Sequence, residues 1–246
     1  MEEAWLIFDY LPMSFKSEKD QEYINFLGET FQTNYEAGKY QFAYLAFHML
    51  FMSYIYFVIW KIKNNNLADF QKAIIGFQND TEAMLDKATS PFVFHRINER
   101  SIFRFLKLIG CEKDKVGNYA KMVDDRNEIA HSNGNIFYSS QEALDEKISI
   151  LLNLISEIHR HSRDLIYKCF ENFLLENYDP ETREYPDDLD QINEVLIQRN
   201  YFSQRDIEVC LEYDIDGLSS NEHYDQIKKL YDSFNKKYND AVVTGL

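Results

Sequence analysis

The chain has 246 residues, 45% of them hydrophobic and 27% charged, the balance of a folded globular protein and not of a disordered one. That length allows one large domain, or a domain with a small companion, and a core that needs neither disulfides nor metals. Its 26 basic against 41 acidic side chains leave a net charge of −15, which excludes a general nucleic-acid or acidic-membrane binder, because phosphate neutralisation needs an excess of Lys and Arg.

Eight Gly and four Pro against 17 Tyr and 19 Phe leave few turn formers, so long elements and an all-α fold are expected and a β-sandwich or barrel is not. Cys111, Cys169 and Cys210 lie far apart without a C-x-x-C, which excludes a zinc ribbon and a disulfide framework. The N-terminus, MEEAWLIFDYLPMSF, has no positive stretch before its apolar residues and does not read as a secretory signal; with free cysteines it points to the cytoplasm.

After an apolar opening at residues 5–15, residues 17–35 carry Tyr23, Phe26, Leu27 and Phe31 at helical spacing. Residues 40–60, YQFAYLAFHMLFMSYIYFVIW, hold no formal charge and are long enough to span a bilayer. Their aromatics run the whole length instead of sitting at two ends, and Gln41, His48 and Ser53 interrupt them. The segment therefore reads as the central helix of a bundle or a subunit interface, with His48 a satisfied core histidine and no membrane involved. Asn64-Asn65-Asn66 makes a turn, and residues 67–87 form the next helix. Ser90-Pro91 starts another, with Ser as N-cap and Pro at the first helical position; it runs to residue 109 and stops at Gly110. A helix over 114–131 closes at Asn133-Gly134, and Ser139-x-x-Glu142 reads as a capping box opening a helix of almost forty residues that ends before Asp179-Pro180. Residues 1–178 are thus expected to form a helical bundle. Residues 179–246 form an acidic helical appendage with short helices over 187–200, 203–213 and 219–240, which packs on the bundle or binds a protein partner.

The charge is not evenly spread. Residues 90–135 hold eight basic and six acidic side chains, the one positive window in the chain, whereas residues 180–246 hold seven against 15. Arg96, Arg100 and Arg104, four apart, form one basic stripe if their segment is one helix; such a stripe is either a solvated face or a phosphate-binding one.

Beside that stripe, at the end of the 114–131 helix, stands DDRNEIAHSNG. The spacing of Arg126 and His131 is unspecific in a chain with this many Arg and His; the helix end, the positive neighbour, the polar Asn127 and the small Ala130 add context. Asn127 and His131 are i,i+4 neighbours able to hydrogen-bond, which would orient the imidazole. Arg126 lies about 140° from His131 around a helix axis, so one helix does not aim both at one atom, whereas two copies across a two-fold axis can. His131 sits in the last turn, where the helix dipole attracts positive charge.

RNEIAH, read as Arg–polar–x–x–x–His, resembles the signature of the HEPN superfamily of helical ribonucleases, which includes toxins of toxin–antitoxin pairs, abortive-infection proteins and CRISPR-associated RNases. The resemblance covers roughly residues 20–178 and implies a HEPN-like, up-and-down helical bundle. It also implies a homodimer with a composite site and metal-independent cleavage of RNA by attack of the 2′-hydroxyl, without a cofactor. By that resemblance Arg126 binds or polarises the scissile phosphate, His131 serves in proton transfer or charge stabilisation, and Asn127 supports them. Arg96, Arg100 and Lys121 are the expected RNA-binding residues, and an antitoxin or other protein is a possible partner. The rival reading is a non-catalytic helical binding or regulatory subunit.

Other clusters carry less. His159 and His161 lie on different faces of a helix and make a poor metal pair; with Arg160 and Arg163 they read as surface residues flanking an RNA groove. His95 adds to the basic stripe. Adjacent acidic pairs such as Asp124-Asp125 splay apart on a helix, so no two-metal site follows, and no Gly-rich phosphate loop, G-x-S-x-G or H-E-x-x-H occurs.

Overall fold

The computed structural model describes residues 2–131 and 134–244, apart from the side chains of residues 120, 121, 125 and 240–244. The expected all-α class is what forms. Among the described residues there is no strand, only an isolated antiparallel bridge between Pro12 and Ser203.

After a 3-10 stretch over Glu2–Tyr10, α1 (Glu18–Glu36) and α2 (Tyr40–Asn65) form an antiparallel hairpin, with Tyr35 against Tyr40 and Phe31 against Phe47. The buried stripe of α1 is Ile24, Leu27, Phe31 and Tyr35, so Tyr23 and Phe26 turn outward. Gly28 belongs to that stripe because the ring of Phe8 lies against it; a Cβ there would meet Phe8 Cζ at 2.8 Å. α2 is the centre of the molecule. It has no polar face, and from Leu50 to Lys63 every side chain is buried, so it is stable only with other elements on all sides. Its apolar length is spent on the protein's own core, which accounts for its hydropathy without a bilayer. It does not supply the broad interface surface expected of it: Phe42 and Met49 are the large apolar side chains it leaves exposed.

The stretch expected as one helix over 67–87 is two, α3 (Leu67–Ile74) and α4 (Asn79–Asp86). Gly76 weakens a helix there, and the break lets Phe77 stack on Phe105 with 6.1 Å between ring centroids. The segment after Pro91 breaks as well. Ser90 caps it as expected, accepting from the Phe92 N–H. It then runs as a 3-10 stretch (Pro91–Arg96), a short α5 (Glu99–Ile102) and a second 3-10 stretch (Phe103–Ile109). Two causes are visible. The Asn98 side chain offers a new cap to the Arg100 N–H, and the buried residues Phe94, Ile97, Ile102, Phe103, Phe105 and Leu106 fit no single helical stripe. The basic stripe of Arg96, Arg100 and Arg104 is therefore not one helix face. Gly110 does end the segment, in the left-handed region at φ 83°.

α6 (Lys113–Ala130) and α7 (Gln141–Asn177) follow. The cap of α7 is Ser140, whose hydroxyl accepts from the Ala143 N–H, and not Ser139. Leu144, Ile148, Leu151, Leu152, Ile155 and Ile158 of α7 join the first core, and Ile166, Cys169, Phe170, Phe173 and Leu174 belong to a second. The second core is completed by α8 (Asp188–Gln191), a π-helical stretch (Ile192–Gln198), α9 (Gln204–Leu211) and α10 (Tyr224–Thr244), the last starting later than expected. The divide between cores thus falls inside α7. The C-terminal helices are also wedged into the first core: Tyr201 stacks on Phe57 and donates to Asp20, and the Trp60 Nε1–H donates to the Arg199 carbonyl.

Candidate functional site

The break at Asn98 has a consequence for Arg126. It swings Glu99 of α5 toward α6, where the Glu99 Oε1 pairs with the Arg126 guanidinium. On its other side, Glu99 Oε2 lies 3.5 Å from His48 Nε2 of α2. His48 is 1% exposed, and neither of its ring nitrogens has a hydrogen-bond partner; Glu99 Oε2 is likewise buried and unmatched. His48 is buried in the core as expected, with the Glu99 carboxylate as its charged neighbour but no hydrogen bond on either ring nitrogen. Burial pushes the Glu99 carboxyl up, but His48 and Arg126 beside it more than reverse that and bring it down to about 2. Glu99 is thus a carboxylate that fixes the orientation of Arg126.

These three residues line a cleft of about 970 Å³ between α1, α2, the 90–99 segment and α6. Its walls are mostly apolar, with Met49, Met52, Tyr56 and Phe92 prominent, and exposed Lys19, His95 and Arg96 lie at its edge. Phe92 makes edge contacts with Tyr23 and Tyr56. Apolar walls with a few polar groups are the usual make-up of a ligand site.

The expected site residues do not all come together. Arg126 and Arg96 line the cleft. Arg100 does not; it is exposed and paired with Asp124. The side chain of Lys121 lies outside the described residues, as does Asn133 of the expected turn. His131 has left the helix: it is the C-cap, exposed, with extended backbone (φ −93°, ψ 148°), so the angular argument for a continuous helix does not apply to it. Ala130, just before it, does line the cleft. The link between Asn127 and His131 is through the backbone, the His131 N–H donating to the Asn127 carbonyl at 3.2 Å.

The basic knot on α7 is not a free groove wall. His159 contacts Asp206 at 3.2 Å, Arg163 pairs with Glu212, and Arg160 approaches Glu157. Two of these contacts fasten α9 and the residue after it to α7, so His159 and Arg163 are engaged there, whereas Arg160 stays exposed. Sequence reasoning missed Glu99 and His48. The available signal was a lone histidine in an uncharged run and a lone carboxylate between Arg96 and Arg100, and neither states that the two meet. Comparison of the chain with family models, curated proteins and solved structures finds no match.

Proposed function

We propose that the protein is an endoribonuclease of the HEPN type, acting as a toxin or antiviral effector in the cytoplasm. The observation that supports this best is the placement of Arg126: it lines a cleft with cations at its edge, five residues before a histidine that caps the same helix. In the reaction, the RNA 2′-oxygen forms a bond to phosphorus while the P–O5′ bond breaks. The 2′-hydroxyl proton passes to a base, and the departing 5′-oxygen takes a proton from an acid. Arg126 stabilises the charge that builds on the phosphoryl oxygens. His131 exchanges the proton. Glu99 holds the guanidinium in place, Asn127 supports the helix end, and Arg96 at the edge of the cleft draws the strand in. The internal nucleophile makes a metal unnecessary.

Arg126 faces the cleft while His131 stands outside its lining, so a complete site needs a second copy. An isologous dimer, the commonest oligomer, doubles both residues, and the outward Phe26, Phe42 and Met49 of the α1–α2 hairpin are apolar side chains such a contact would cover. The acidic C-terminal helices offer a surface to a restraining protein partner.

One observation favours the rival reading, a non-catalytic binding module: Arg126 is already neutralised by Glu99. The products decide between them. RNA incubated with the protein in excess EDTA should yield 2′,3′-cyclic phosphate and 5′-hydroxyl ends, and a 2′-deoxy substitution at the cut should block cleavage. No cleavage, or cleavage only with added magnesium, contradicts the proposal.

A further inference from the structure

His48 and Glu99 line one cleft and touch at 3.5 Å between Nε2 and Oε2, yet neither ring nitrogen of His48 nor Glu99 Oε2 makes a hydrogen bond. Folding leaves buried groups unpaired only rarely, and unpaired groups facing a cavity are met by what fills it. The pair has a definite pattern, an imidazole able to donate and, 3.5 Å away, a carboxylate that only accepts. Around it stand flat and polarisable side chains, Met49, Met52, Tyr56 and Phe92, suited to the faces of an aromatic ring. At the edge Arg96 and Lys19 suit an anion. The volume is that of a pocket for a ligand of nucleotide size.

From this arrangement we infer that the cleft binds a guanine nucleotide unit, the base against His48 and Glu99 and its phosphate toward Arg96. Guanine presents O6 as an acceptor, then N1–H and the 2-amino group as donors, along one edge. His48 donates to O6, and Glu99 accepts from N1–H and the amino group. Adenine, cytosine and uracil present no acceptor–donor–donor edge, and each leaves the carboxylate with at most one donor. A site built to pair with a polar edge rejects ligands lacking it, because its own buried groups then stay unpaired. That the natural ligand is a guanosine within RNA rests on the ribonuclease proposal; binding of the free nucleotide does not.

The test is calorimetric titration of the full chain with GMP, AMP, CMP and UMP. GMP should bind at least tenfold tighter than the other three, and Glu99→Gln and His48→Phe should each weaken GMP at least tenfold. Thermal melts of both variants show whether they fold; if either does not, the ranking of the four nucleotides on the wild-type chain stands as the test. Equal binding of all four, no binding of GMP, or undiminished GMP binding by a folded Glu99→Gln chain overturns the assignment. Cleavage without preference for guanosine alongside such a result leaves the ribonuclease proposal standing. Selective GMP binding by a chain that cuts no RNA leaves the cleft assignment standing without it.

Discussion

Lys61 and Asp206 meet at 2.5 Å in a contact closed to solvent, one carried by the central helix α2 and the other by the first turn of α9, 145 residues later. Asp206 also accepts from the Ser203 N–H at 2.8 Å and completes a capping box there. A buried pair of this kind adds little over well-packed apolar residues, but removal of one partner strands the other charge. Lys61→Met should therefore lower the unfolding free energy by about 3–5 kcal/mol in urea melts, and Lys61→Met with Asp206→Leu should lose less than the single change. Equal stability of Lys61→Met and wild type contradicts this.

Acid should weaken the same joint. Burial pushes the Asp206 carboxyl up, but Lys61 and His159 outweigh it and hold it well below the usual carboxylate range. A folded-state pKa below the unfolded one, ordinarily ~3.9 for Asp, contributes stability that is complete above that value and is lost as pH falls below it. Glu99, brought down to about 2, acts in the same direction. The urea midpoint should decline as pH is lowered from 5 to 2, and Lys61→Met should flatten that decline. An unchanged slope in the variant argues against the assignment to Asp206.

Gly110 tests the end of the 103–109 segment. A Cβ there would meet only His161 Nδ1, at 4.0 Å, so crowding is not the issue; the left-handed backbone is. Gly110→Ala should cost about 1–2 kcal/mol and lower the melting temperature. A neutral effect would mean the turn relaxes.

The helices were legible where the chain carries strong periodicity and strong punctuation. α2 and α7 follow from unbroken apolar patterns, and the stops at Gly110 and Asp179-Pro180 from residue types with few other uses. The segment after Pro91 was not, because a cap inside a helical pattern, Asn98, looks like any polar residue until packing decides which hydrogen bond it makes. The same event hides the site. Arg126 stands out in RNEIAH, yet its partner Glu99 and its neighbour His48 come from two other elements, 27 and 78 residues away in the chain. Their meeting is a product of tertiary packing, which local spacing does not encode.

Subunit mass tests the composite site. Light scattering at micromolar concentration should give twice the chain mass of 29.3 kDa, and Phe42→Glu with Phe26→Glu should shift it toward the monomer with loss of activity. A fully active monomer contradicts the two-copy arrangement.

Single-turnover cleavage rates of a defined RNA in EDTA for wild type, Arg126→Ala and His131→Ala test whether these two residues carry out the proposed cleavage. Each variant should lose ~10²-fold or more in rate while keeping the wild-type helical spectrum and melting temperature within a few degrees. Wild-type rates in both folded variants would contradict it.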